Sequence, residues 1–418
     1  MKNKFVWDNY SDQPCIIKDK KYKKMMRHKH LADYLPLFFY NLVFFPLAAV
    51  ISGCFKVKPK VANNFFALCV NLDKGQQQIQ LVEELGCKNL QIRVPLADIE
   101  NLAEYVDFAK KFNDCHILIN ILQDRANIDN PILLQQNIGL IFTAFRGVVC
   151  NFQIGNAINR SKWGFFSVGE YLRFYQLVQT IRDREFADYA LVGPSVIDYE
   201  YHFTVRALFN HFKIKFDKVS ALLYVDRRGA PENRQMLFFD TRKKIDFLYA
   251  LTKLSWRSGS DIIISEANWP ISNTAPWAPT SETECVEEDD YCNFMLRYHY
   301  LALATGKVQS LYWHQLIAPG YGLIDSRDGL RKRSAFQAYK VMLDLLQNST
   351  VLEYQFSEQL YRLVCDCNGK SIEILWLNGQ GTKKFVTEHL VLDKLGQALG
   401  TDICISQSPI YVLHNTRV

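Results

Sequence analysis

Two rhythms of apolar and polar positions divide the chain. From residue 61 onward, short β-rich runs alternate with longer stretches whose apolar positions recur at helical spacing. The runs lie at 65–70, 89–94, 115–122, 148–154, 189–193, 219–225, 261–266 and 308–313. Amphipathic stretches at 76–86, 102–112, 168–186 and 241–256 fall in the gaps between them. Eight strand–helix units between residues 61 and 348 predict an α/β fold, the (β/α)8 TIM barrel, which needs about 250 residues. A doubly wound open sheet is the alternative. It would usually carry a glycine-rich phosphate loop after its first strand. Here that place reads Asn71-Leu72-Asp73-Lys74-Gly75, with a single glycine.

Past residue 349 the helical rhythm stops. Strand-like runs at 360–366, 371–377, 385–392, 402–407 and 410–413 are separated by turn signals such as Asn368-Gly369 and Asn378-Gly379. Residues 349–418 therefore predict a small C-terminal antiparallel β domain, sandwich-like in character. At the other end, residues 36–55 hold no charge across twenty positions. That is about the length of helix that crosses a bilayer core. The expected organisation is a leader at 1–60, a barrel at 61–348 and the β module at 349–418.

Charge changes the picture only at the leader. The net charge is +6, yet residues 1–60 carry eleven Lys and one Arg against four Asp, leaving the rest slightly acidic. The body is not a basic nucleic-acid binder, and no nucleic-acid partner is expected. A basic stretch joined to an uncharged run predicts contact with a membrane surface through residues 20–60, at about 1 kcal/mol per Lys or Arg near an anionic leaflet. A spanning helix with the N-terminus inside fits the larger N-terminal count of basic residues. Pro36, Asn41, Pro46 and positive charge on both flanks favour a segment lying in the interface. Ile51-Ser52-Gly53-Cys54 resembles a bacterial lipoprotein cleavage box, which would anchor a periplasmic protein at Cys54. A buried apolar helix packed on the barrel is the remaining reading. The expected location is the cytoplasmic face of the inner membrane, with a periplasmic one as the alternative. Eleven Cys, odd in number and without scaffold spacing, lean toward a reducing compartment.

The ends of the barrel runs carry the candidate chemistry, because sites in such barrels form at the C-terminal strand ends. Those ends are Asn71, Arg93, Gln123-Asp124-Arg125, Asn156, Ser195, Tyr224 with Asp226, Glu266, and Trp313 with His314. Neither Cys285…Cys292 nor Asp198-Tyr199-Glu200-Tyr201-His202 has convincing metal-ligand spacing, so no metal and no cofactor is expected. There is no Gly-x-Ser-x-Gly elbow, Walker loop or dinucleotide fingerprint.

Ile264-Ser265-Glu266-Ala267-Asn268-Trp269-Pro270 resembles the nucleophile segment of the retaining glycoside hydrolases of clan A. Phe152-Gln153-Ile154-Gly155-Asn156-Ala157-Ile158-Asn159-Arg160 is similar to that clan's fourth-strand segment. The resemblance spans residues 61–418 and implies a barrel with an appended β domain, acting on a carbohydrate. It makes Glu266 the nucleophile, Arg93 its neighbour, and Trp313 the aromatic platform. Asn156, Tyr224, Trp269 and His314 would contact sugar. At the clan's acid/base position, however, stands Ala157. General acid–base help is worth about 10²–10⁴-fold, so another carboxyl is sought. Asp226 and Glu232 are the nearest by strand order. The expectation is a membrane-associated glycosidase acting on an envelope glycan. The alternatives are a reaction that needs no acid, and a barrel that binds glycan without cutting it.

Overall fold

A computed structural model describes residues 5–57, 61–400 and 402–414. Its centre is a closed barrel of eight parallel strands: β1 Phe66–Val70, β2 Asn89–Pro95, β3 His116–Leu122, β4 Asn151–Ile154, β5 Ala190–Ile197, β6 Phe216–Leu222, β7 Ser258–Ala267 and β8 Val308–Trp313. β8 pairs with β1 and closes the ring. Strands alternate their faces, so every second residue points inward. Ala67, Cys69, Leu118, Val192, Ile263 and Tyr312 fill the interior as one cluster. The opposite faces pack against an outer layer of helices in a single large core. The apolar runs form strands because both faces are buried, as parallel sheets require.

Two boundaries differ from the sequence reading. β5 continues through Gly193-Pro194 to Ile197, with a register shift at Pro194/Val196. β6 ends at Leu222, which frees Tyr224 and Val225 to leave the sheet.

The C-terminal module is a five-stranded antiparallel sheet beside a two-stranded one. Its first strand, Thr350–Ser357, precedes any run singled out from the sequence. The run at 385–392 divides between the two sheets, as Lys383–Phe385 and Leu390–Leu392. The module is pinned to the barrel by Trp376, whose indole N–H donates to Glu232 Oε1 at 2.9 Å.

The leader has three parts. Residues 5–17 form a strap with a short hairpin, Trp7–Asp8 against Gln13–Pro14. Helix α1, Lys20–Lys29, is capped by Asp19, whose carboxylate accepts from Tyr22 N. Helix α2, Tyr34–Ile51, holds the uncharged run. One side of α2 lies on the barrel's flank: Phe44 stacks on Phe209 at 3.7 Å, and Asn41 Nδ2 donates to the His202 carbonyl at 2.8 Å. The other side leaves Leu35, Phe38, Phe39, Leu42, Val43 and Val50 exposed. The helix is long and apolar enough to cross or anchor in a membrane. Residues 58–60, part of the basic flank after the run, lie outside the described residues.

Candidate active site

Glu266, at the end of β7, is 6% exposed and faces the barrel mouth. Arg93, near the end of β2, donates from Nη2 to Glu266 Oε2 at 2.7 Å. The hydroxyl of Tyr224, freed by the end of β6, donates to Oε1. Burial pushes the Glu266 carboxyl up, but His314, Arg93 and Tyr224 together outweigh it and hold the group well below the usual carboxylate range. Of the three, Arg93 and Tyr224 carry the effect, because His314 is itself uncharged at neutral pH. Burial, then the adjacent charge of Arg93, drives its imidazole down to about 3. Glu266 is therefore a buried carboxylate held in its ionised form, the state a nucleophile needs.

The carboxylate opens on a cavity of about 180 Å³. Asn156, Ala157, Lys162 and Trp163 form one wall, from β4 and the loop after it. Asn156 is fixed through Gln123, whose amide bonds both its backbone N and its carbonyl, at 2.9 and 2.8 Å. Ala157 is fully buried with φ +44°, in the left-handed region that non-glycine residues enter at about 1–2 kcal/mol. Several lining atoms are buried without a partner among the described residues: Asn156 Nδ2, Asn268 Oδ1, His314 Nδ1 and Arg93 Nε. Each costs about 1–3 kcal/mol if left unsatisfied. Together they offer donors and acceptors to a ligand rich in hydroxyls.

The strap forms the cavity's outer wall, a role the sequence did not reveal. Asp12 is buried and sits at φ +48°. Its carbonyl accepts from Arg93 Nη1 at 3.2 Å. Its Oδ2 accepts from Lys74 at 2.8 Å, Gln315 at 3.0 Å and Tyr321 at 3.2 Å. Gln13 bridges Lys162 Nζ and the Pro279 carbonyl, at 2.6 and 3.1 Å. Trp7 meets Trp163 edge-on at 5.8 Å. Asp12 is thus a second carboxylate in the mouth. Its Oδ2 is engaged by three donors on the β1 and β8 side of the mouth.

The other candidates separate. Arg93, Asn156, Tyr224, Glu266 and His314 converge on the cavity. Asp226 is exposed in an adjoining hollow that shares Tyr224, Arg228 and Thr280 with it. Glu232 does not join either. It is buried against Arg297, whose Nε donates to Oε1 at 2.9 Å, and under Trp376. That pairing places it beneath the β module and away from the mouth. Trp313 is also displaced from the role of sugar platform. Tyr312 points into the barrel, so Trp313 points out, where its N–H donates to Tyr291 OH at 2.9 Å. Trp269 stacks on it at 5.9 Å and donates to the Gly229 carbonyl at 3.0 Å. Trp163, Tyr224 and Tyr321 are the aromatic rings that line the cavity. Asp198 and Glu200 pair with Arg160 at 2.6 and 2.8 Å.

No family model matches this sequence, and no curated protein does. Solved structures do match its fold. A family 39 glycoside hydrolase from Bacteroides cellulosilyticus WH2 superposes with a TM-score of 0.68 at 13% identity, over 86% of this chain and 84% of that one. A GH30 endoxylanase from Clostridium papyrosolvens C71 gives 0.61 at 10% identity, over 86% and 97%. A glucosidase from Croceicoccus marinus gives 0.59 at 12% identity, over 86% and 98%. The fold is that of clan A glycoside hydrolases, a TIM barrel with an appended β domain.

Proposed function

We propose that this chain is a membrane-associated glycosidase or transglycosidase, with Glu266 as the nucleophile that attacks the anomeric carbon. The observation that carries the reading is the ionised, buried Glu266, held by Arg93 and Tyr224 and facing unpartnered polar atoms in a small cavity. Arg93 and Tyr224 orient the carboxylate, while Asn156, Asn268 and His314 take sugar hydroxyls. A retaining mechanism would usually place a second carboxyl about 5–5.5 Å from the nucleophile. Ala157 supplies none, and Asp226 at the rim is the remaining sequence candidate for proton transfer.

The outward apolar side of α2 and the lysines of α1 support contact with a membrane through residues 20–60. Such contact favours an envelope glycan as substrate, handled at the cytoplasmic face of the inner membrane. The periplasmic alternative is separated by thiol labelling of Cys54 and Cys404, both exposed, in intact and lysed cells.

Ala157 favours a second reading, a glycan-binding barrel that does not cut. Purified protein and Glu266→Gln are compared on activated aryl glycosides and on envelope glycans. Hydrolysis by the wild type alone supports the enzyme; equal rates remove Glu266 from the chemistry. Strong new hydrolysis on Ala157→Glu, in a chain otherwise inactive, supports the binding reading.

A further inference from the structure

The cavity holds more positive charge than its own acids neutralise. Arg93 is answered by Glu266. Arg160 is answered by Asp198 and Glu200, and Lys74, beside the mouth, by Asp12 and Asp73. Lys162 and Arg228 also line the cavity, both half-buried, and neither lies within ion-pair distance of an acid among the described residues. The Lys162 ammonium meets an uncharged oxygen, Gln13 Oε1, at 2.6 Å. Arg228 lays its guanidinium over the Tyr224 ring at 3.8 Å, with Nη1 buried and lacking an acceptor. Its backbone is held at φ +51°. The side chain of its neighbour Arg227 lies outside the described residues.

Both cations flank the carboxylate chemistry. Arg228 rests on the ring whose hydroxyl bonds Glu266. Lys162 follows Ala157 by five positions, in the loop after β4, on the wall that lacks a proton donor. Partly withdrawing a cation from water without a paired counter-charge is unfavourable. Two such cations beside unpartnered hydrogen-bonding groups are a receptor awaiting an anion.

We infer that Lys162 and Arg228 form an anion subsite, and that the substrate is a sugar bearing a negative group next to the bond being cut. The inference rests on the glycosidase reading. Two sources supply that charge: a carboxylate on the sugar, or a phosphate on its anomeric oxygen. The phosphate case would also account for Ala157. Glu266 Oε forms the bond to the anomeric carbon as the bond to the phosphate oxygen breaks. The electron pair leaves with the phosphate oxygen, and the phosphate of a monoprotonated glycosyl phosphate departs as hydrogen phosphate without a proton from the protein. Water then cleaves the glycosyl ester, returning the Glu266 carboxylate and releasing one proton to solvent.

The test is calorimetric titration of the full-length protein at low salt with glucose, glucuronate, glucose 1-phosphate and inorganic phosphate. At least tenfold tighter binding of glucuronate or of glucose 1-phosphate than of glucose is expected, and whichever is tighter names the source. Lys162→Gln and Arg228→Gln should each remove most of that preference while changing the glucose affinity less than twofold. Lys162→Arg should retain it. Thermal melts confirm that each variant is folded. If glucose binds as tightly as both anionic sugars, or if the variants weaken all of them equally, the subsite is overturned and the glycosidase reading survives. Binding of inorganic phosphate that depends on Lys162, with no sugar bound, would uphold the subsite and overturn the glycosidase reading. If none of the four binds, both are overturned.

Discussion

The Glu266–Arg93 and Glu232–Arg297 pairs have similar chemistry and opposite circumstances. Glu266–Arg93 sits at the barrel mouth, beside a cavity with unpartnered donors and acceptors. Glu232–Arg297 is sealed beneath the β module, each side chain about 1% exposed, with Trp376 completing its coordination. Burial and pairing alone therefore do not mark a reactive carboxylate. Arg297 Nη1 also lacks a partner among the described residues, so what sets Glu266 apart is the cavity in front of it.

The sharpest way to break the comparison is to neutralise each carboxylate in turn. Glu266→Gln should lower hydrolysis at least about a thousandfold, measured as kcat on an activated aryl glycoside, as loss of a nucleophile does elsewhere. Glu232→Gln should act on stability instead. It leaves the Arg297 charge buried without its counter-ion, a loss of roughly 3–5 kcal/mol, read as a Tm lower by several degrees. Its kcat on the folded fraction should stay within about twofold. A large kcat loss in Glu232→Gln, with no change in Tm, would reverse the assignment.

Smaller changes test how the mouth keeps Glu266 charged. Tyr224→Phe removes one charge-assisted hydrogen bond, worth about 1.5–3 kcal/mol, so kcat/KM should fall about tenfold or more. The pH profile carries the sign. The Glu266 carboxyl is depressed in the folded chain, so its stabilising contribution is complete above the unfolded value of about 4.3. It is lost as the pH falls toward the folded value. The acid limb of wild-type kcat/KM should accordingly lie below pH 4, and in Tyr224→Phe it should move upward. On the alkaline side the rate should stay flat from about pH 5 to 8 if no carboxylic acid donates a proton. A limb in that range which vanishes in Asp226→Asn would instead place the missing acid at the rim.

The barrel was legible because its strands are buried on both faces and so stand out as apolar runs. The mouth was legible where residues sit directly at strand ends, as Arg93, Asn156 and Glu266 do. It failed where parity decides. Trp313 ends its strand but points outward, one residue off the inward-facing Tyr312. Strand order also misled for Glu232. The chain after β6 runs from the mouth to the β module within a few residues, so Asp226 and Glu232 reach different places. Ser11, Asp12 and Gln13 carried no local signal, since nothing in their neighbours ties them to Gln315 or Tyr321.

The strap also fixes an order of events during synthesis. Asp12 bonds Gln315, 303 positions later, and Tyr321, 309 positions later. Chains emerge from the ribosome N-terminal end first, at about 5–20 residues per second. Asp12 therefore finds these two partners only after some 303 to 309 further positions have been translated. Until then the hairpin has no assembled rim to close upon, and the nascent barrel stands open on that side. A segment made well before the rim it closes is among the last to reach its native contacts.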